Sequence, residues 1–172
     1  MNFFSLFKRN LIFKLKKKIN IDKEAIEFST IDDLFHHFGS DKSNILRFSN
    51  NNKNNKGHGF SNLYSKHLEI FKDKQINILE VGSFSGASAA SFVKYFPKSK
   101  VFCFDINISN FKYYSKNIEV FGMDISDVKK TEKTIKTIFE KYNFQEFDLI
   151  IDDGSHNLSD ILICINTLFK YL

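Results

Sequence analysis

Proline occurs once in these 172 residues and cysteine twice, at Cys103 and Cys164. The scarcity of proline accompanies a high content of lysine, asparagine, isoleucine and phenylalanine, a coding bias that says little about function. Both cysteines sit in apolar runs, which argues against a disulfide framework or metal pair and for buried free thiols in a reducing compartment. No uninterrupted apolar run is long enough to span a bilayer. The order of charge, apolar core and small-residue cleavage site that marks a signal peptide is missing. No internal repeat is visible.

Acids are missing from residues 1–20, which hold Lys8, Arg9, Lys14, Lys16, Lys17 and Lys18. The net charge of +5 belongs to that segment, because the remainder sets 19 cations against 20 acids. A basic domain surface for nucleic acid is therefore not supported. Residues 1–18 mix these cations with Phe3, Phe4, Leu6, Phe7, Leu11, Ile12, Phe13 and Leu15. Two readings stay open: an amphipathic helix lying on anionic lipid, or a solvated helix packed on its own domain or on a partner.

What is present is enough for one globular domain. A hydrophobic fraction of 42% with 21 phenylalanines excludes a disordered chain, and the length suits a single core. Thr30 with Asp33 reads as a capping pair opening a short helix that Gly39 ends. Ile31, Leu34, Phe35 and Phe38 share its inner face. An asparagine-rich run over 49–57 reads as a loop. Ser61 is expected to cap a second helix that turns Leu63, Tyr64, His67, Leu68 and Phe71 inward.

From residue 76 the pattern alternates. Strands are expected at 76–81, 101–105, 118–121 and 147–152, and helices at 86–96, 127–142 and 158–170, the second carrying Val128, Ile135, Ile138, Phe139 and Tyr142 on one stripe. This predicts a parallel sheet covered on both faces, with ligands beyond the carboxyl ends of its strands. Acids stand there: Glu80, Asp105, Asp124, Asp152 and Asp153. The run Ile76 to Ser88 reads as strand, glycine turn and helix start, the pattern of a nucleotide-like cofactor site. Asp105 lies at the spacing of a ribose-binding acid. A dinucleotide site would ask for a second glycine where Phe84 stands, and that ring would obstruct a pyrophosphate.

The stretch Glu80-Val81-Gly82-Ser83-Phe84-Ser85-Gly86 resembles the first motif of class I S-adenosylmethionine-dependent methyltransferases. Phe38 to Lys42, followed by His58-Gly59-Phe60 and Leu63-Tyr64, and Phe147 to His156 with its Asp152-Asp153-Gly154-Ser155-His156 run, are similar to a metal-dependent subgroup. That subgroup holds the mycinamicin-type sugar O-methyltransferases and cephalosporin hydroxylase-like proteins, and the likeness runs from about residue 31 to the end. It implies an α/β fold, a partial Rossmann-like doubly wound parallel sheet with about four of seven strands and an N-terminal helical cap. It divides the chain into a basic segment 1–20, a cap 21–75 and a cofactor-binding part 76–172.

It also implies S-adenosylmethionine held by Glu80, Gly82, Ser83, Gly86, Asp105, Asp124 and Tyr64. Mg2+ would sit on Asp153 and His156 would be the catalytic base, since a sugar hydroxyl must lose its proton to attack a sulfonium methyl. The other metal ligands of the family have no counterpart in these residues, so the chain reads as the N-terminal part of a longer, truncated enzyme. The expected activity is methyl transfer to a hydroxyl of a sugar or glycosylated metabolite. The alternatives are an inactive cofactor-binding remnant and an NAD-dependent Rossmann oxidoreductase. Expected partners are a small-molecule or saccharide acceptor, with membrane contact through residues 1–18 and a homo-oligomer left open, in a cytoplasmic protein. His36 and His37 read as packing or surface residues, whereas His58 and Tyr64 could line a lid over the cofactor.

Overall fold

Short apolar strands and amphipathic helices alternate in space as they do in sequence. The computed structural model describes residues 3–26, 28–47 and 55–172. Its elements are α1 (Phe3–Leu15), β1 (Ile19–Asn20), α2 (Ile31–Phe38), α3 (Ser61–Leu68), β2 (Asn77–Val81) and α4 (Ala87–Tyr95). There follow β3 (Lys100–Asp105), β4 (Tyr113–Tyr114), β5 (Ile118–Gly122), α5 (Val128–Tyr142), β6 (Leu149–Asp152) and α6 (Leu158–Leu168). Most of the asparagine-rich run 49–57 lies outside the described residues.

The main sheet is parallel throughout, in the order β5-β3-β2-β6. The chain steps outward from β2 to β3 and β5, then returns to place β6 on the other side of β2. Strand order thus reverses between β2 and β6, and a ligand crevice is expected at the carboxyl ends of those two strands.

Alternation along the strands divides the core into two layers. Ile78, Val101 and Cys103 point to the side of α2 and α4, where Leu34, Phe35 and Phe92 are buried. Leu79, Val81, Phe102 and Phe104 point to the other side, against Ile135 and Ile138 of α5 and Cys164 and Leu168 of α6. Each such fully buried side chain contributes about 1.5–3 kcal/mol through removal of apolar surface from water. Phe35, Phe92 and Tyr64 meet edge to face, with centroids 5.5–5.6 Å apart, and so tie the cap helices α2 and α3 to α4.

Helix α2 starts and stops as expected: the Thr30 hydroxyl accepts from the Asp33 N–H, and Gly39 ends it. Helix α3 does not. Phe60 occupies its cap position without a side-chain bond, while the Ser61 hydroxyl donates instead to Asp32 and to the Lys42 carbonyl. Leu63 is 58% exposed and His67 faces outward, whereas Tyr64 and Leu68, with Phe71 just beyond the helix, pack against the core. Val128 likewise lies outside the buried stripe of α5, where Thr131 joins Ile135 and Ile138. A small parallel pair, β1 with β4, has no forerunner in the sequence pattern. It binds residues 19–20 to the segment that follows β3.

Helix α1 packs on its own domain. Phe13 meets Phe111 edge to face at 6.2 Å, the Arg9 guanidinium donates to the Ile106 carbonyl, and Lys16 donates to the carbonyls of Ser109 and Asn110. Among the described residues, no helix is long and apolar enough to cross a membrane.

Candidate functional site

The turn after β2 is fixed by its neighbours before any ligand arrives. Gly82 adopts φ +83°, and a Cβ there would run into the carbonyl of Asp153. The Gly82 N–H donates to Phe104 and the Asp153 N–H to Val81, both at 2.8 Å. The first glycine of the motif is thus required by the approach of the β6 end. Gly86, at φ +77°, opens α4, and a Cβ on it would enter the Phe111 ring. Between them Phe84 is held at φ +42°, a conformation costly for a bulky residue. Its N–H donates to Asp105 Oδ2 at 2.6 Å, and its ring is 65% exposed.

Beside this turn lies a cavity of ≈ 560 Å³. Its wall includes Gly82, Phe84, Asp105, Asp124, Asp152, Asp153 and Asp160 and, among the described residues, no lysine, arginine or histidine. Asp105 sits at the end of β3 and accepts from the backbone of both Phe84 and Asn107. Asp124, two residues beyond β5, accepts from the hydroxyl and N–H of Ser126, which hold its carboxyl below the usual range against the opposing effect of burial. The Asp152 carboxylate folds back on the Gly154 N–H at 3.1 Å. Three of the four strand ends thus place carboxylates on one cavity.

A smaller cleft of ≈ 310 Å³ adjoins it, sharing Gly82, Phe84 and Asp153 and adding Ser83, Lys42 and His156. Lys42 is 3% exposed and its ammonium donates to Asp153 Oδ2. The nearby Glu80 is fully buried. Burial pushes its carboxyl up, opposed by the Lys42 charge and by the Ser88 and Ser83 hydroxyls. One oxygen accepts from Ser88; the other has no hydrogen-bond partner among the described residues. A cation beside two carboxylates in a closed space is the arrangement that keeps such charges inside a fold.

The expected site residues divide accordingly. Gly82, Asp105, Asp124 and Asp153 line the larger cavity, and Gly82, Ser83, Asp153 and His156 the smaller cleft. Glu80, Gly86 and Tyr64 line neither. Glu80 lies beneath the turn on the α4 side; Gly86 packs on Phe111; Tyr64 packs on Phe35 and Phe92. None of Asp152, Asp153 and His156 caps α6: the cap residue is Asn157, which forms no side-chain bond. His36 bonds the Ile45 carbonyl and His37 packs on Phe28 and Phe38, so both are structural. His58 stacks on Phe60 outside both cavities. Both cysteines are buried and free; burial raises the Cys164 thiol to about 12.

Lys42 is the residue that sequence reasoning did not single out. It stands 111 positions from Asp153, and no local periodicity links them. The one signal was a lysine inside the Phe38–Lys42 motif, which carries no indication of its partner. A metal finds little here: no group of three or more His, Cys, Asp or Glu side chains among the described residues could hold one. The Asp153 carboxylate is already engaged by an ammonium, whereas magnesium takes near-octahedral oxygen coordination.

No family model matches the chain. Over 123 residues it is 28% identical to L-olivosyl-oleandolide 3-O-methyltransferase of Streptomyces antibioticus, covering 67% of this chain and 30% of that protein. Mycinamicin VI 2''-O-methyltransferase of Micromonospora griseorubida is 22% identical over 122 residues, covering 67% of this chain and 29% of its own. Among solved structures the fold is similar to the MycE methyltransferase from the mycinamycin biosynthetic pathway in complex with Mg and SAH. The TM-score is 0.58 at 19% identity, over 83% of this chain and 31% of that one. In its complex with Mg, SAH and mycinamycin VI, the same methyltransferase matches with a TM-score of 0.52 at 20% identity, over 66% of this chain and 29% of that one. The chain therefore resembles the sugar O-methyltransferases in sequence and shares the methyltransferase fold. It spans about 30% of the length of the relatives it matches.

Proposed function

We propose that residues 76–172 form the cofactor-binding part of an S-adenosylmethionine-dependent O-methyltransferase whose acceptor is a hydroxyl of a sugar or glycosylated metabolite. The observation that carries this reading is the sign of the cavity. Four carboxylates at strand ends and a fifth at Asp160 line it, Asp153 alone of them held by Lys42 from the adjoining cleft, and no lysine, arginine or histidine among the described residues lines the cavity itself. Such a wall repels a pyrophosphate and attracts a ligand bearing a sulfonium and an ammonium. The turn's Phe84 N–H, which a dinucleotide phosphate would need, is directed at Asp105 instead.

When bound, S-adenosylmethionine supplies an electrophilic methyl on a positively charged sulfur. Asp105 is assigned to the ribose hydroxyls, Asp124 to the adenine side, and Gly82 with Ser83 to the methionine end. Glu80 acts from beneath, through Lys42 and Ser88. His156 takes the acceptor hydroxyl proton as oxygen attacks the methyl and the carbon–sulfur bond breaks, leaving a neutral thioether and an imidazolium. Its place in the cleft beside Asp153, 3 residues upstream, supports that role. The MycE complexes hold Mg; Mg2+ on Asp153 of this chain would ask for oxygens beyond those of the described residues and for release of Lys42. No step above depends on it.

Titration calorimetry with S-adenosylmethionine, S-adenosylhomocysteine and NAD tests the reading. The first two are expected to bind and NAD is not. Binding of NAD alone would overturn it in favour of a Rossmann oxidoreductase.

A further inference from the structure

We propose that the outward face of α1 is a docking surface for an anionic lipid bilayer. The helix carries apolar side chains on two faces, and only one is used by the fold. Phe13 turns inward against Phe111, while Arg9, Asn10 and Lys16 meet the loop after β3 and the end of β5. Phe7, Leu11 and Leu15, spaced four apart, share the opposite face. They are 62%, 47% and 78% exposed, and Ile12 beside them is 42% exposed. A monomeric soluble domain rarely leaves so regular an apolar stripe in water.

Charge selects the occupant. Lys8 and Lys14 flank the stripe and Lys17 follows the helix, all three exposed, and residues 1–20 contain no acid. Long cationic side chains beside aromatic and leucine side chains suit the boundary of acyl chains and anionic headgroups, where the stem stays in apolar surroundings and the ammonium meets phosphate. A second copy would bring the same cations against one another. The opposite face of α1 is clamped to the domain, so the helix lies along its surface and can rest in the plane of a bilayer without leaving its seat. That seat includes Ile106, which also lines the large cavity.

Vesicle co-sedimentation of the 172-residue chain tests it, using phosphatidylcholine alone and phosphatidylcholine with about 30% phosphatidylglycerol. Partitioning at least about tenfold stronger onto the anionic vesicles, weakened by salt, is expected. The triple variant Phe7→Ser, Leu11→Ser, Leu15→Ser and the charge variant Lys8→Glu, Lys14→Glu should each lose that preference. The charge variant alters exposed side chains only, so its far-ultraviolet dichroism and melting should match the parent chain. Equal sedimentation with both vesicle types, or retained binding by both variants, overturns the proposal. So does a parent chain whose lipid-free sedimentation coefficient falls on the triple substitution, which would show the stripe buried between copies.

Discussion

At the level of single residues, Gly82 and Lys42 hold the site together from opposite sides. Gly82→Ala places a methyl group against the Asp153 carbonyl in a left-handed backbone conformation. It should destabilise the chain by about 2–4 kcal/mol in urea unfolding. Lys42→Met keeps the apolar stem and removes the charge, leaving Glu80 and Asp153 without their shared cation. Breaking a fully buried pair costs about 3–5 kcal/mol; because the Asp153 side chain is 32% exposed, about 2–4 kcal/mol is expected, read from the same unfolding curves. His156 is exposed, and its side chain has no hydrogen bond or ion pair among the described residues. His156→Ala should therefore leave stability and cofactor binding unchanged while methyl transfer falls by about 10²–10⁴-fold. Unchanged turnover would remove the base assignment.

At the level of elements, the β1–β4 pair shows how the N-terminal segment is secured. Asp22 follows β1 and accepts from the Ser115 hydroxyl at 2.7 Å and the Lys116 N–H at 2.9 Å, just after β4. Burial would raise its pKa, but these bonds outweigh it and hold the carboxyl below its ordinary value. A depressed folded pKa means the contribution is complete above about pH 4, the unfolded value, and is lost as pH falls through the folded one. Asp22→Asn should cost about 1 kcal/mol at neutral pH, a modest figure because the group is largely solvated. The difference between the variant and the parent chain should shrink as pH is lowered from about 4 to 2, as acid titration followed by dichroism would show.

At the level of the whole molecule, the sheet margin at β6 governs solution behaviour. Leu158, Leu162, Ile165 and Phe169 follow helical spacing along α6 and its continuation, and each is 50–73% exposed. Beside them β6 is an edge strand of the sheet among the described residues, a template for pairing with another chain. The chain should self-associate as its concentration rises in sedimentation velocity runs, and Leu162→Glu with Ile165→Glu should suppress that association.

Residue type fixed the elements: the strands were legible as short apolar runs, because a parallel sheet covered on both faces buries successive side chains, and the helices were legible through the 3.6-residue period that burial on one face imposes. The carboxylates at strand ends, the glycine turn and the 152–156 run were legible for the same local reason. Tertiary structure alone decided which of them meet. It put Glu80 under the turn, Tyr64 in the core and Gly86 against Phe111, and it brought Lys42 onto Asp153 from across the chain. It also decided which face of α1 the domain covers and which it leaves to solvent. Local pattern records the surface a residue prefers; the partner across that surface is set by how distant segments pack, and no spacing along the chain encodes it.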